Sequence, residues 1–304
     1  MSGASLVNET RELTGEDALA TLRRVGWGTL LKDALMRMRV ADGMSHARSF
    51  AYLTSLVAIQ SLIAIVGIES VVGAGSLSRA VDAAIVRIVP GPAGRVLTVA
   101  VTHAHQSGVH HHYLALLIGL VGSLFTATTA MGQLERGLNR IYGMDQDRPT
   151  GEKYKVAFVS ALTAGTLTAG AIICLAFGDQ LFQSKSSTTL SVGWAILRWP
   201  LGIALVTIAV TFLYRRSPRR IQPHLSWLSV GSVVAVVLWV ISIFGLTLFF
   251  KTSSSFGSTY GPLAGIVALL LWSLLAAIAL FYGGAVAAQL ESVRTGTAPH
   301  RPKK

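Results

Sequence analysis

Six stretches of this chain each run for about the length of a membrane-crossing helix with almost no charge. That pattern constrains the fold more than any other feature. The stretches are Phe50–Ile68, Tyr113–Leu134, Val156–Phe177, Trp194–Tyr214, Leu225–Phe250 and Leu263–Leu290. A helix needs roughly 20 apolar residues to cross a hydrocarbon core about 30 Å thick. Every backbone polar group in lipid needs an internal partner, so only helices and closed barrels span. These runs lack the apolar–polar alternation of barrel strands. The chain therefore reads as all-α, a polytopic membrane protein with a six-transmembrane-helix bundle. Composition agrees: 52% of the 304 residues are hydrophobic and 13% are charged, against about 25% charged in a soluble domain. The fourth run is the weakest, because Arg198 and Pro200 fall near its start. A long arginine side chain there can snorkel to the headgroups, and a proline early in a helix costs little.

Lysine and arginine counts in the loops set the orientation. Twenty lie before the first run, between the second and third, between the fourth and fifth, and in the tail; six lie on the opposite side, Arg198 included. Both termini are expected in the cytoplasm. The same asymmetry accounts for the net charge of +12 without a nucleic-acid partner. The first 49 residues are polar and contain no signal-peptide hydrophobic region, so the first span is expected to act as its own insertion signal. Cys174 stands alone and implies no disulfide or zinc framework.

Outside the spans, 1–49 forms a cytoplasmic N-terminal region and 291–304 a basic cytoplasmic tail. Within the former, 15–40 reads as an amphipathic helix: Leu19, Leu22, Val25, Trp27, Leu30, Leu31, Leu35 and Met38 recur at near-helical spacing among Arg23, Arg24, Lys32, Arg37 and Arg39. Such a helix lies at the interface with anionic lipid or packs beneath the bundle's own loops. The external segment Glu69–His112 carries a candidate short helix at Ser76–Val89, broken at Pro90-Gly91-Pro92. It ends in His103, His105, His110, His111 and His112. Imidazoles ligate metals, but no carboxylate or cysteine lies among these five, and histidine also suits an interfacial position. No metal or other cofactor is assigned.

The spans hold almost no ionisable groups. Gln60, Thr126, Thr128, Thr129, Thr163, Thr166, Thr168 and Ser242 are their polar side chains, suited to bonding the backbone or a neighbouring helix. Ala161/Gly165/Ala169, Gly231/Ala235 and Gly261/Gly265 have small-xxx-small spacing, which permits close helix packing. Asp145, Asp147 and Glu152 share one loop with Arg148, Lys153 and Lys155 and read as a mixed-charge surface. No phosphate-binding loop or nucleophile elbow is present, and no enzyme is expected.

Two motifs carry a family likeness: Leu134-Glu135-Arg136-Gly137-Leu138-Asn139-Arg140-Ile141-Tyr142-Gly143 followed by Arg148-Pro149, and Thr259-Tyr260-Gly261-Pro262-Leu263-Ala264-Gly265 followed by Leu270-Leu271-Trp272 and Gly283-Gly284. With Leu213-Tyr214-Arg215 they resemble the YihY/BrkB family of bacterial inner-membrane proteins, over about residues 30 to 292. The family also carries a virulence-factor name and an older ribonuclease label, which no residues here support. The resemblance implies a six-helix bundle in the bacterial cytoplasmic membrane. It departs from the family pattern at Ile59-Gln60, where a proline is expected, and at Ala285 and Ala287, where a glutamate and an asparagine are.

The expected function is envelope integrity through transport or organisation of lipid or a lipid-linked substrate. A small-solute transporter or channel and a non-catalytic scaffold are the alternatives. Arg136, Asn139, Arg140 and Arg148 are the candidate headgroup or substrate contacts. Tyr260, Gly261, Gly265, Gly283 and Gly284 are assigned to helix packing. Expected partners are anionic membrane lipids, a second copy of the chain or other envelope proteins.

Overall fold

A computed structural model of the chain describes residues 4–72, 85, 89–183, 188–253 and 255–297. The helices are α1 (Gly15–Val25), α2 (Trp27–Val40), α3 (Gly43–Val72), α4 (Gly91–Ile141), α5 (Thr150–Gln183), α6 (Thr188–Arg216), α7 (Leu225–Thr252), α8 (Ser255–Tyr260) and α9 (Ala264–Arg294), with a 3-10 turn at Gly261–Leu263. No strand occurs among the described residues. Six of these helices, α3 to α7 and α9, are long and apolar enough to cross a membrane.

Several boundaries differ from expectation, each for a local reason. The 15–40 segment is two helices rather than one. Gly26 sits at φ +80 between them, a left-handed conformation that glycine adopts without steric cost. Thr14 and Asp17 form a capping box at the start of α1, satisfying otherwise orphaned N–H groups. α4 is capped by Pro90 and runs 51 residues, more than twice the roughly 20 a span needs. The backbone of the histidine run is therefore helical rather than loop. Of its side chains, His103 is exposed; those of His105, His110, His111 and His112 lie outside the described residues, as does most of Ser76–Val89. Pro200 falls well inside α6, not near its beginning. Its missing N–H is tolerated in membrane helices, where neighbouring groups re-satisfy the freed carbonyl.

α9 is the central helix, packed against α3, α4 and α7 and joined at one end by α2. α5 and α6 pack on each other and reach α4 and α7 at their edges. Both described chain ends meet the C-terminal turns of α9: Arg294 pairs with Asp17 at 3.0 Å and Thr10 Oγ1 donates to Glu291. We call this end of the bundle proximal and the other distal. One apolar core lies proximally, around Leu134, Leu138, Tyr214, Trp227, Phe281 and Leu290. A second lies distally, where Ala93, Leu97 and Val101 of α4 join Leu62, Val66, Ala264, Ala268 and Leu269.

Packing tightness changes sharply along the bundle. Gly283 to Ser292 of α9 are ten consecutive buried residues, encased on every side. Further along, 165–170 of α5, 203–208 of α6 and 237–245 of α7 contain no buried residue on any face. Buried residues bracket each stretch, Ala164 and Ala171 on α5, Gly202 and Ala209 on α6, and Val236 and Leu246 on α7, so one face of each helix stays in contact there but is packed less tightly than α9.

Candidate functional site

The charged residues of the proximal end form a layer built by three chain segments converging on α9: the N-terminal strap 4–14, the α4–α5 loop and the α6–α7 loop. At its centre Arg220 makes a bidentate pair with Glu291, both bonds 2.8 Å, with side chains 1% and 0% exposed. Thr10 Oγ1 adds a third bond to the carboxylate at 2.6 Å. Arg220 also donates to the Asn8 carbonyl at 2.9 Å, and its guanidinium lies 4.6 Å from the Tyr142 ring centroid, a cation–π contact. Burial pulls against the Arg220 charge, but the Glu291 bonds outweigh it and raise the guanidinium's pKa. Tyr142, fully encased, has its phenol pushed well above the ordinary range, chiefly by burial.

Arg37, on α2, has neutral partners only. Its Nε donates to Gln289 Oε1 (2.8 Å), Nη1 to the carbonyls of Ser5 (3.0 Å) and Ile141 (3.1 Å), and Nη2 to Ser5 Oγ (3.0 Å) and Ser292 Oγ (3.1 Å). Burial outweighs the opposing pull of Tyr142 and Glu291 and lowers its pKa to about 10, leaving it a cation at neutral pH. It therefore staples α2, α4, α9 and the strap together. Val7 N–H continues the strap by donating to the Tyr142 carbonyl at 3.1 Å. Gly143, at φ +79, leaves room for the strap: a Cβ there would sit 2.6 Å from Leu6 N and Ser5 O.

The four candidate contact residues occupy two different environments. Asn139 is buried: its Nδ2 donates to Asp147 at 3.0 Å and its Oδ1 accepts from Arg219 N at 2.8 Å. Arg148 is 12% exposed and pairs with the buried Glu135 at 3.2 Å. It also donates to the carbonyls of Ser217, Pro218 and Arg216. Those carbonyls end α6, where a cation complements the helix dipole. Arg136 and Arg140 are the outward pair, 49% and 42% exposed, each held by an aspartate: Arg136–Asp147 at 3.1 Å and Arg140–Asp145 at 3.0 Å. Asp147 is the hub. Burial pushes its carboxyl up, but bonds from Asn139, Arg136 and Lys153 prevail and hold its pKa at about 2. The expected mixed-charge loop is thus an ordered network. Among the described residues no three His, Cys, Asp or Glu groups converge on a metal position.

The packing residues also separate. A Cβ on Gly283 would meet the Gly231 carbonyl at 2.5 Å and Ala235 Cβ at 2.6 Å, so α7 and α9 touch backbone to backbone. On Gly284 it would meet Leu138 at 2.6 Å, and on Gly265 it would overlap the Val96 side chain. Gly261, at φ +50, faces open space and serves the turn into α9; Tyr260 stacks on Phe256 at 4.9 Å. Gly165 also faces open space, so the Ala161/Gly165/Ala169 spacing does not mark a contact at its central residue. Most span hydroxyls, Thr128, Thr129, Thr163, Thr166 and Ser242 among them, bond a carbonyl of their own helix. Ser55 Oγ joins two helices, donating to Ser273 Oγ at 2.9 Å between α3 and α9.

Tyr214 is visible in the sequence only as part of a motif. It reaches from α6 to donate its hydroxyl to the Leu280 carbonyl of α9, tying these two helices together at the proximal end.

The family model for virulence factor BrkB matches residues 34–304. A Bacillus subtilis protein named ribonuclease-like YfkH is 26% identical over 199 residues, 61% of this chain and 69% of the relative. A UPF0761 membrane protein of Alteromonas mediterranea is 25% identical over 189 residues, 62% of this chain and 63% of the relative. One of Xanthomonas oryzae is 25% identical over 185 residues, 60% of this chain and 41% of the relative. The chain thus spans between about two fifths and two thirds of these relatives' length. No solved structure matches. The motifs around Arg136–Tyr142 and Tyr260–Gly265, the six apolar helices and the match over nine tenths of the chain agree: this is a membrane protein of the virulence factor BrkB family.

Proposed function

We propose that this protein moves or organises an amphiphilic lipid, or a lipid-linked substrate, in the bacterial cytoplasmic membrane, with the proximal end facing the cytoplasm. The observation that carries the reading is the contrast within the bundle. Its proximal end is tied together by Tyr214 and the buried charge layer, whereas 165–170 of α5, 203–208 of α6 and 237–245 of α7 contain no buried residue.

A hydrated solute needs a continuous polar path. The half-buried side chains in the loose layer are mostly apolar, Leu167, Leu205, Val206, Leu238, Trp239 and Ile243, with Thr207 and Ser242 the polar members. Side chains of that chemistry suit an acyl chain entering from the side. Arg136 and Arg140, exposed at the proximal end, can then meet an anionic headgroup. The cytoplasmic placement of the proximal end follows the lysine and arginine asymmetry. The reading gives the protein no catalytic step.

Proteoliposomes containing a fluorescent phospholipid test the reading. Protein-bearing vesicles should expose the inner-leaflet label faster than empty ones while retaining a trapped small dye. The double substitution Arg136→Ala/Arg140→Ala should slow the movement and leave thermal stability near that of the parent. Movement no faster than in empty vesicles, or dye escaping as fast as lipid moves, defeats the proposal.

A further inference from the structure

α1 and α2 are two arms of a hairpin, and three contacts fix its depth against the bundle. The Gly15 amide donates to Ser226 Oγ at 3.0 Å, and Leu19 lines the same cleft as Val230. α1 therefore runs inward beside the opening turns of α7. Asp17 pairs with Arg294, tying the base of this arm to the end of α9.

The chain reverses at Gly26. Tyr282 Oη donates to the Leu31 carbonyl at 2.8 Å, near the start of α2, and Arg37 reaches Gln289 and Ser292 further along it. α2 thus runs back outward. Tyr282 precedes Arg294 by 12 residues, about 18 Å at a rise of 1.5 Å per residue. At the depth of Tyr282, Gly137 of α4 abuts Phe281 between Arg136 and Arg140, and inward of Glu135 α4 holds no charged residue back to Tyr113. The turn around Gly26 therefore sits where the charged layer ends and the apolar spans begin.

The hairpin has a packed side and a bare side. Ala18, Thr21, Leu22, Leu30, Ala34 and Met38 are buried. Leu19, Trp27, Leu35 and Met36 are 50%, 49%, 42% and 59% exposed, outside all six spans. Arg23, Arg24, Lys32 and Arg39, interspersed with them, are also exposed. Tryptophan at the depth where charge gives way to apolar side chains, flanked by basic residues, matches the chemistry of the membrane interface.

We propose that the α1–α2 hairpin is a wedge inserted into the proximal leaflet. Its bare side covers acyl chains, Trp27 sits at its tip, and its basic residues bind anionic headgroups. This goes beyond the lipid-movement reading and does not depend on it; a scaffold would carry the same wedge.

The test places single cysteines in the full chain on a Cys174→Ser background. Trp27→Cys and Leu35→Cys probe the bare side, and Glu16→Cys probes the exposed base of α1. Each is labelled with an environment-sensitive fluorophore and reconstituted in vesicles of mixed anionic and zwitterionic phospholipid. The labels at 27 and 35 should be quenched by spin-labelled lipid and shielded from aqueous iodide, with the reverse at 16. Arg23→Gln/Arg24→Gln/Lys32→Gln should reduce lipid quenching at 27 in the anionic vesicles. Iodide quenching at 27 and 35 equal to that at 16 overturns the proposal, because the bare side then faces water. Shielding from both quenchers also overturns it, because protein then covers the surface.

Discussion

Removing the Glu291 carboxylate leaves a buried guanidinium with too few partners, and its cost follows from the contacts. Glu291 accepts two bonds from Arg220 and one from Thr10. Without it, Arg220 retains the Asn8 carbonyl and the Tyr142 ring. Breaking a buried ion pair by deleting one partner costs about 3–5 kcal/mol, because the other charge stays buried. Glu291→Ala should therefore lower the folded-to-unfolded ratio by roughly two to four orders of magnitude. Replacing both partners by apolar groups of similar shape is often close to neutral, so Arg220→Met/Glu291→Leu should be much more stable than Glu291→Ala. Unfolding of detergent-solubilised protein, followed by denaturant titration of helicity, measures all three forms. Additive losses in the double variant would refute the reasoning, since they would mean the two charges are not energetically coupled. A loss under about 1 kcal/mol in Glu291→Ala would refute it too, by showing that water already reaches the pair.

Two further outcomes follow from the geometry. Asp147 has its pKa lowered from 3.8 to about 2 in the folded protein. Its contribution is complete above about pH 4 and is lost as the pH falls toward 2. Asp147→Asn should flatten the stability profile in that window, and an unchanged acid limb measured by helicity would count against the network. Among the glycines, Gly283→Ala drives a methyl group into the Gly231 backbone and should destabilise by at least about 1–3 kcal/mol, the usual range for overpacking. Gly165→Ala, which meets nothing within 4 Å, should be neutral or stabilising by up to about 1 kcal/mol through helix propensity. Thermal melts of the two variants giving the opposite order would contradict the packing.

The spans are legible in the sequence because membrane crossing imposes one long, local signal, and no distant residue is needed to read it. The charge layer is not legible in the same way. Arg37 and Arg220 look in sequence like any other loop cation, and both count toward the orientation. They become buried only because the strap, α2 and two loops converge on the last turns of α9. Asn139 and Arg148 belong to the motif that points to headgroup contacts, yet both turn inward, while Arg136 and Arg140 of the same motif turn outward. Neighbours one turn apart on a helix can have opposite environments, and a motif alone does not show which. The break at Gly26 does leave a trace: Gly26 and Gly28 flank Trp27 inside an otherwise periodic apolar pattern, and glycines there weaken a continuous helix.

The distribution of tight and loose packing bears on what the bundle can handle. Stability is supplied proximally, where α9 is encased over ten residues and Arg37 and Arg220 pin α2 and the α6–α7 loop to it by buried bonds. The middle of α5, α6 and α7 is by contrast only partly buried, with less of the close packing found around α9. Helices with a firm anchor at one end and little to hold them at mid-bilayer can part there without unfolding, because separating them at that depth uncovers little packed surface. On the proposed reading an aqueous solute gains little from such parting, since the buried charge layer stays packed at the proximal end. On that reading a molecule already in the leaflet does gain, entering from the side with its chains against the half-buried apolar side chains and its headgroup near Arg136 and Arg140. The buried charges then matter less as a binding site than as the anchor that lets the rest of the bundle stay loose.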